Sequence, residues 1–384
     1  MRIMIGADTY PPDVNGAARF AERLATGLAG RGHEVHVVAP SPEGPAGSRE
    51  VEGVTVHRIR SHRYPLQDSF RVCLPWQARP ETAAVLGEVA PDVVHVQAHF
   101  SVGRGVAVAA AEAGLPLVAT NHFMPENLLD HSFLPSGLHG PASRFAWRDL
   151  RKVFRRADAV TAPTPRAVEL LERSTGLTGS AISCGIDADR YAGGTEDATP
   201  TILFVGRLDQ EKRVDELIRA VATLPPGLRL EIVGDGSKRA EWTALVDRLG
   251  IADRVVFHGF VDEAELVAAY RRCAVFCMPG VAELQSLVTL EAMAAGKPVV
   301  AADAMALPHL VHPGRNGWLY PPGNVDALAA ALGALLRDRG TRARMGATSR
   351  EIVSGHALDA TLDAFEAVYT RVLTPAPTRL TAAA

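Results

Sequence analysis

The stretch Ala282–Val300, AELQSLVTLEAMAAGKPVV, decides the fold of the second half of the chain. An apolar run at Ala274–Met278 predicts a strand before it, Gln285–Ala295 predicts a helix, and Pro298–Ala301 predicts the next strand. A strand, a helix and a second strand in this order form a unit whose two strands are parallel. The stretch therefore indicates an α/β fold.

The same alternation of strands and helices extends outward to both ends of the chain. The predicted helix Ala17–Ala29 repeats an apolar residue every four positions, at Phe20, Leu24 and Leu28. The other predicted strands are Arg2–Ala7, Glu34–Ala39, Val93–Val96, Pro116–Thr120, Ala159–Ala162, Thr201–Val205, Arg229–Val233 and Val255–Phe257. Such alternation favours doubly wound parallel sheets with helices on both faces.

Length and one polar segment indicate two domains. A chain of 384 residues is longer than one hydrophobic core usually serves. The alternation stops at residues 191–200, YAGGTEDATP, and then restarts. We therefore predict two Rossmann-like domains, at residues 1–190 and 201–357, joined by a linker at residues 191–200.

Composition excludes several classes of protein. The apolar fraction of 47% and the charged fraction of 22% are ordinary for a soluble globular protein. A net charge of −3 provides no basic field for nucleic acid. Four cysteines without a CxxC spacing indicate a reducing compartment and no metal site. No signal peptide or apolar run of about 18 residues is present, so we predict a cytoplasmic protein.

Two cations follow the first strand of the second domain, in ILFVGRLDQEKRVDELIRAV. Ligands of parallel sheets bind outside the carboxyl ends of the strands, and Arg207 and Lys212 would lie there. A guanidinium fork and an ammonium group together suit a diphosphate. The alternative is a solvated loop in which Asp209 and Glu211 neutralise these cations.

Two carboxylates, Glu283 and Glu291, occupy the mostly apolar stretch Ala282–Val300. Glu283 would lie beside the diphosphate, and Glu291 two turns further along the helix. A carboxylate next to phosphates is favourable only when it accepts hydrogen bonds from hydroxyl groups, which sugars supply. One carboxylate would then bind a transferred sugar and the other a ribose. The alternative is that Glu283 caps the helix and Glu291 faces solvent.

The loop after the first strand, ADTYPPDVNGAARF, brings Asn15-Gly16 to the start of a helix. Helix N-termini favour anions, because their first amides lack partners. A rigid loop without a ligand is the alternative. There is no GxGxxG, so the sequence does not support a dinucleotide site.

Several segments together resemble the retaining nucleotide-sugar glycosyltransferases of family four. They are Gly206-Arg207 with Lys212, IVGDGSKRAEWTALV, VVFHGFV, Glu283 with EAMAAGKPVV, YPPDVNG, PDVVHVQ, TNHF and GID. The resemblance covers roughly residues 1–370 and implies the GT-B fold, with a cleft between two Rossmann-like domains and no metal or other cofactor. It implies a nucleotide site in the C-terminal domain and most of the acceptor site in the N-terminal domain. Residues 358–384 would form a final helix, Leu358–Leu373, that crosses back to the first domain, and a disordered tail.

The resemblance also implies roles for individual residues. Arg207 and Lys212 would neutralise the departing diphosphate. Glu283 would bind hydroxyls of the donor sugar and Glu291 those of the ribose, while His122 would face the donor sugar during its transfer. The catalytic set is His122, Arg207, Lys212 and Glu283, and the donor-binding set is Gly16, Arg207, Lys212, Glu283, Leu284, Gln285, Ser286, Leu287 and Glu291.

The chain departs from the family pattern at three positions. Asn15 and Ser286 stand where glycines are usual, and Gln285 stands where phenylalanine is usual. Asn15 would bring a side chain near the phosphates. Gln285 and the segment NHFMPENL, Asn121–Leu128, are similar to the lipid-directed branch: diacylglycerol glycosyltransferases, sulfolipid synthases and phosphatidylinositol mannosyltransferases.

The basic segment Ser143–Arg156, SRFAWRDLRKVFRR, is the independent indication of a lipid surface. On a helix its cations lie on one face, and its apolar residues lie on the opposite face. The cations are Arg144, Arg148, Arg151, Lys152, Arg155 and Arg156, and the apolar residues are Trp147, Leu150, Val153 and Phe154. Such a segment suits anionic headgroups, with shallow insertion of the apolar side chains. The alternative is that the apolar face packs into the domain and the cations are solvated.

The predicted function is therefore transfer of a glucose-type or mannose-type hexose, with retention and without a metal. The donor would be a UDP or GDP sugar, and the acceptor a membrane lipid such as diacylglycerol or phosphatidylinositol, reached from the cytoplasmic face. Three alternatives remain open: a small soluble acceptor, a nucleotide-sugar 2-epimerase of the same fold, and a non-catalytic sensor of sugar nucleotides.

Overall fold

The computed structural model describes residues 1–13, 15–64, 67–125 and 136–374. They form two compact units, which are described separately. The first contains the described residues of 1–125, 136–183 and 358–374, and the second contains residues 184–357. Both are built mainly from parallel strands and helices, as the alternation in the sequence predicts. Residues 192–200, within the predicted linker, lie outside all helices and strands.

The first unit contains ten strands and six helices among its described residues. The strands are β1 (Arg2–Gly6), β2 (Glu34–Pro40), β3 (Gly47–Val51), β4 (Val54–Ile59), β5 (His62–Tyr64), β6 (Gln67–Val72), β7 (Val93–Val96), β8 (Leu117–Thr120), β9 (Ala159–Ala162) and β10 (Ser180–Ala181). The helices are α1 (Gly16–Gly30), α2 (Pro75–Val89), α3 (Ser101–Glu112), α4 (His139–Phe154), α5 (Pro165–Thr175) and, from the end of the chain, α13 (Leu358–Leu373). Eight strands form one sheet in the order β10-β9-β8-β7-β1-β2-β4-β3, and β5 pairs with β6 separately.

The second unit has a six-stranded sheet in the order β13-β12-β11-β14-β15-β16, and all its pairs are parallel. The strands are β11 (Thr201–Val205), β12 (Arg229–Val233), β13 (Val255–Gly259), β14 (Val275–Met278), β15 (Val299–Ala302) and β16 (Gly317–Tyr320). The helices are α6 (Val214–Thr223), α7 (Arg239–Arg248), α8 (Glu263–Arg272), α9 (Leu287–Ala294), α10 (Leu307–Leu310), α11 (Val325–Arg337) and α12 (Arg339–Ser354). In both sheets the central strands are buried, because helices cover both faces.

Six of the observed strands were absent from the sequence prediction, namely β3, β4, β5, β6, β10 and β16. β3 pairs with β4 in antiparallel register at the edge of the first sheet. Every residue of β3 is exposed, and its sequence GSREV has no alternation of apolar and polar residues. Backbone pairing with its neighbour therefore holds this strand, and a side-chain pattern does not.

The predicted helix Gln285–Ala295 is shorter in the structure, where α9 begins at Leu287. The reason is Ser286, whose φ of +67° lies in the left-handed region and so cannot continue a helix. The residues before it consequently form a loop at the carboxyl end of β14.

The last helix, α13, has the bounds that the resemblance implied, and it packs within the first unit. The ring of Phe365 lies 5.8 Å from that of Phe20 in α1. The Tyr369 hydroxyl lies 2.8 Å from Nδ1 of the buried His95 in β7. Arg31, which follows α1, donates to Glu366 at 2.8 Å. The end of the chain thus completes the core of the unit that contains its beginning.

Candidate active site

The loops after β11 and β12 lie against each other in the second unit. The Leu208 amide donates to Asp235 O at 3.0 Å, and the Lys238 amide donates to Leu208 O at 2.7 Å. A Cβ at Gly234, where φ is +120°, would lie 2.0 Å from Gly206 O. Glycine is therefore required where these backbones meet. The contact holds the residues that follow β11 at the carboxyl edge of the sheet.

Lys212 and Glu283 are brought together by a second pair of loops. The Val281 amide donates to Glu211 O at 3.0 Å, and this bond ties the loop after β14 to the short 3₁₀ turn Gln210–Lys212. The Lys212 ammonium then donates to Oε1 of Glu283. The two side chains are only 16% and 11% exposed, so this ion pair is largely shielded from water. A cation and a carboxylate, far apart in the sequence of the second domain, thus share one site.

Arg207 has the carboxylate partners that the alternative interpretation named. Its guanidinium lies 3.3 Å from Asp209 and 3.1 Å from Glu211. Both acids are buried, and Asp209 also accepts from the amide of Ser237 at 3.1 Å. The arginine side chain itself is 45% exposed. The buried acids therefore orient a cation that is open to solvent at the carboxyl end of β11.

Glu291 does not face solvent, so the structural alternative for this residue is wrong. It is buried in α9, and its Oε2 accepts from the Tyr270 hydroxyl at 2.9 Å. Glu283 likewise caps no amide of α9, because the N-cap position belongs to Ser286. Neither carboxylate has the structural role that the sequence left open, and their donor-binding roles remain predictions.

The loop between Glu283 and α9 is held by its unusual residues. Gln285 is buried, accepts from the Cys184 amide at 2.8 Å and lies 3.4 Å from Nδ1 of His356. Ser286 hydrogen-bonds Thr289 at 2.8 Å. The side chains of Leu284 and Leu287 are also buried, and the donor-binding role of this loop remains a prediction. Gln285 therefore anchors the loop to both ends of the second unit.

His122 follows β8 in the first unit. Its ring lies 4.7 Å from that of Phe20, and its buried Nε2 has no hydrogen-bond partner among the described residues. Burial lowers the pKa of His122 to about 4, so the imidazole is neutral at physiological pH. A neutral ring with an unused nitrogen suits contact with a sugar hydroxyl or ring edge.

Asn15, which is predicted to bring a side chain near the phosphates, lies at the start of α1. Asn15 is the N-cap of α1, and its Oδ1 accepts from the Ala18 amide at 2.9 Å. Gly16 is the first residue of that helix. The side chain of Asn15 therefore caps α1, and the backbone of Gly16 lies at the helix N-terminus, where an anion is favoured.

Two polar residues at the end of β7 were missed by the sequence analysis. Gln97 and His99 are almost fully buried, although they follow a strand at the edge where ligands bind. The sequence HVQAHF contains a signal that could have identified them. Polar residues that directly follow an apolar strand lie at the carboxyl edge of the sheet, after β7 as after β11.

The described residues contain no cluster of three potential metal ligands. All four cysteines are buried, and none forms a disulfide in the described part of the chain. Burial raises the pKa of Cys273 to about 12, which makes it a poor nucleophile.

The basic segment Ser143–Arg156 is only partly as predicted. Its six cations are exposed, but the helix ends at Phe154, so Arg155 and Arg156 lie beyond it. The apolar residues Trp147 and Leu150 belong to the core of the first unit. The expectation that the apolar face inserts into lipid is therefore wrong, because that face already packs against protein. Among the described residues, no helix has both the length and the apolar character needed to span a bilayer.

Comparison with known proteins assigns the chain to a family. A sequence profile for glycosyltransferase family 4 matches residues 14–190, and one for glycosyl transferases group 1 matches residues 186–352. The chain is 35% identical to a GDP-mannose-dependent alpha-mannosyltransferase of Mycolicibacterium smegmatis, over 97% of this chain and 98% of that protein. It is 31% identical to a D-inositol 3-phosphate glycosyltransferase of Xylanimonas cellulosilytica, over 96% and 94% of the two chains.

The fold agrees with these sequence matches. Sucrose-phosphate synthase from Thermosynechococcus elongatus superposes with a TM-score of 0.79 over 97% of this chain and 99% of that one, at 21% identity. The protein is a glycosyltransferase with the GT-B fold. The chain belongs to glycosyltransferase family 4 and is a hexosyltransferase, so the predicted family, fold and enzyme class are confirmed.

Proposed function

We propose that the protein transfers mannose from GDP-mannose to an acceptor, with retention of the anomeric configuration. The observation that carries this proposal is the shielded contact between Lys212 and Glu283 at the carboxyl edge of the second sheet. A diphosphate binds a cation, and the hydroxyl groups of a sugar donate hydrogen bonds to an acceptor. Lys212 supplies the cation and Glu283 the acceptor within one site. The similarity to GDP-mannose-dependent mannosyltransferases over nearly the whole chain supports the choice of base and sugar.

In the proposed reaction, Arg207 and Lys212 stabilise the leaving diphosphate. Negative charge on the leaving phosphate grows as the glycosidic bond breaks, so cations held in advance lower the barrier. Glu283 accepts hydrogen bonds from sugar hydroxyls, and Glu291 accepts from the ribose. His122, which is neutral, lies against the donor sugar while positive charge develops on it. The leaving phosphate oxygen takes the acceptor proton on the same face, which accounts for retention without a covalent enzyme intermediate.

The experiment incubates the enzyme with GDP-mannose, UDP-glucose or other donors, first without acceptor and then with a lipid extract. GDP-mannose is expected to be hydrolysed slowly alone and consumed faster with acceptor, to give an α-mannoside detectable by NMR. The variant Lys212→Met should lower both kcat and donor affinity, whereas Arg219→Met, at an exposed arginine of α6 that lies 4.0 Å from Asp215, should change neither. A sugar nucleotide epimerised at C2 would instead identify an epimerase, and binding without turnover would identify a sensor.

Metal independence is tested in the same assay. Because Arg207 and Lys212 take the place of a metal in the proposal, excess EDTA should leave the rate unchanged. A rate that requires Mg²⁺ or Mn²⁺ would contradict the assignment of these cations.

We further propose that the acceptor is a lipid at an anionic membrane surface. The exposed cations of the basic segment support this, since each basic residue near an anionic surface contributes about 1 kcal/mol. Because the apolar face is packed in the core, binding should be electrostatic and released by salt.

Vesicle sedimentation tests this contact. Replacing Arg148, Arg151 and Arg155 together by glutamate should abolish pelleting with phosphatidylglycerol vesicles and lower lipid glycosylation, while donor hydrolysis continues. A matched control makes the same charge change on exposed arginines of the second unit, at Arg219, Arg248 and Arg344. If both variants pellet like the wild type, the basic segment is an ordinary solvated surface and a soluble acceptor becomes the better hypothesis.

A further inference from the structure

Buried polar groups that have no role in donor binding lie at the end of β7. Gln97 is the first residue after the strand and is 3% exposed, and neither its Oε1 nor its Nε2 has a hydrogen-bond partner among the described residues. His99 is 2% exposed, and its Nδ1 is also without a partner there. These two side chains therefore contain three buried polar atoms that have no hydrogen-bond partner among the described residues.

Unused buried polar atoms are rare because they have lost their bonds to water and gained nothing in return. A primary amide can form four hydrogen bonds, and that of Gln97 forms none within the described chain. An apolar side chain of similar size would pack there at lower free energy. Residues that destabilise the empty protein are typical of binding sites, where a ligand supplies the missing partners.

Strand pairing places these groups at the same sheet edge as His122, the residue that the proposed mechanism assigns to the donor sugar. β7 pairs with β8 in parallel, with Val96 opposite Ala119, so the residues after both strands lie at one edge of the sheet. The backbone N–H of Gln97 continues the pairing with β1 by donating to Gly6 O at 2.9 Å. His122, which follows β8, is the residue assigned to the donor sugar. A group bound by Gln97 and His99 would therefore lie at the same edge as that sugar, where an acceptor belongs.

The charges at this edge favour an uncharged ligand. Burial lowers the pKa of His99 to about 4, so its imidazole is neutral at pH 7. Asp8, at the end of β1, accepts from the Val102 amide at 2.8 Å, and the nearby Arg104 is occupied by Asp149. Although burial raises the pKa of Asp8 to about 6, it remains mostly ionised at pH 7. An anionic phosphate would therefore meet a carboxylate here, and the arginine beside it already has a partner.

An aromatic surface adjoins the same polar groups. Phe100 is 40% exposed, and its ring lies 4.4 Å from that of His99 and 5.3 Å from that of Phe123. Exposed aromatic rings beside amide and imidazole groups suit the apolar face and the hydroxyl edge of a ring polyol.

We propose that Gln97 and His99 bind the acceptor through hydroxyl groups of an uncharged ring polyol, either a carbohydrate or a cyclitol. This inference rests on the proposed function, because it assigns the acceptor side of the same reaction. A phosphorylated polyol is disfavoured at these residues. The neutral polyol is either a free molecule or the headgroup of a glycolipid, and the two share this recognition chemistry.

The experiment compares the wild type with Gln97→Met, a change of similar length that removes the amide. Saturation-transfer NMR with methyl α-D-mannoside, myo-inositol and myo-inositol 1-phosphate measures binding, and a dimannosylated glycolipid in micelles represents the lipid source. The wild type should bind at least one neutral probe more tightly than the phosphorylated one. Gln97→Met should weaken that binding by about tenfold to a hundredfold, as expected when hydroxyl partners lose a buried amide.

Thermal stability separates this role from a structural one. Gln97→Met should keep or raise the melting temperature, because it removes unpaired polar atoms. The matched control is Thr175→Val, also buried in the first unit, where the hydroxyl donates to Leu171 O at 2.7 Å and accepts from the Leu177 amide at 3.1 Å. That change should lower the melting temperature.

Two results would overturn the inference. One is a fall in melting temperature for Gln97→Met like that of Thr175→Val, with binding of the probes unchanged. The other is a wild type that binds only the phosphorylated probe, or none of them, and this measurement does not depend on whether the variant folds. Absence of donor hydrolysis by the wild type would instead contradict the proposed function.

Discussion

Glu283→Gln is the substitution that most directly tests the proposed site. The amide keeps an oxygen at the position of Oε1, so it can still accept from the Lys212 ammonium, but it removes the negative charge. Both side chains are mostly shielded from water. The change therefore isolates the charge of the carboxylate from its shape.

The structure sets the expected cost in stability. Breaking a fully buried ion pair costs about 3–5 kcal/mol, whereas an exposed pair contributes about 0–1 kcal/mol. A hydrogen bond to a charged group contributes about 1.5–3 kcal/mol and a neutral one about 0.5–1.5 kcal/mol. Since the glutamine retains the neutral bond, we expect Glu283→Gln to lose about 1–2 kcal/mol of unfolding free energy. The variant should therefore remain folded at assay temperature.

The expected effect on catalysis is larger. If Glu283 holds the donor sugar as the glycosidic bond breaks, losing its charge should lower kcat about a hundredfold to a thousandfold. The comparison is Glu291→Gln, which can still accept from Tyr270 at the buried position. Because ribose contacts change little along the reaction, this variant should raise the donor KM about tenfold and leave kcat near that of the wild type.

Initial rates of donor consumption, measured over a range of GDP-mannose concentrations, check both expectations, and thermal unfolding checks that each variant is folded. Near-normal kcat for Glu283→Gln would refute the assigned role. A large kcat loss in Glu291→Gln would show that the two carboxylates do not divide their roles between sugar and ribose.

Three further predictions concern stability. Burial lowers the pKa of His95 to about 3 and that of His99 to about 4, so below about pH 6.5 these histidines bind protons in the unfolded chain but not in the folded protein. Acidification from pH 7 to pH 5 should therefore lower the free energy of unfolding by about 2 kcal/mol for each histidine. Unchanged hydrogen-exchange protection of β7 would contradict this prediction. Ser286→Val should destabilise by about 1–3 kcal/mol, because a β-branched residue fits the positive φ poorly and the buried hydrogen bond to Thr289 is lost, with calorimetry as the measurement. Tyr369→Phe should cost about 1–3 kcal/mol by leaving the buried His95 nitrogen unpaired, and a melting temperature equal to that of the wild type would count against that bond.

Much of the fold follows from local sequence. The strands Thr201–Val205 and Arg229–Val233 have the bounds predicted from their apolar runs, because a parallel strand covered on both faces must be apolar along its length. The position of the candidate site follows from the same pattern, since polar residues after such strands lie at one edge of a sheet. The family resemblance adds the roles of Arg207, Lys212 and Glu283, which spacing alone could not distinguish from a solvated loop.

Other features depend on contacts between distant parts of the chain. Whether Arg207 is paired, and with which acid, is decided by loops that only the folded sheet brings together. Gln285 lies next to Cys184 and His356 although 101 and 71 residues separate it from them in sequence. From the sequence alone, the apolar face of the basic segment could have contacted either lipid or the protein core. The structure shows that Trp147 packs in the core.

The sequence by itself therefore determined the α/β class, the buried central strands of the two sheets and the edge at which chemistry occurs, because burial imposes a local pattern on those residues. Only the tertiary structure decided which charges are paired, which helix face is covered, and which buried polar atoms, at Gln97 and His99, are left without partners among the described residues. The physical reason is that hydrogen bonds and ion pairs depend on distances of about 3 Å between residues far apart in the chain, and periodicity carries no information about those distances.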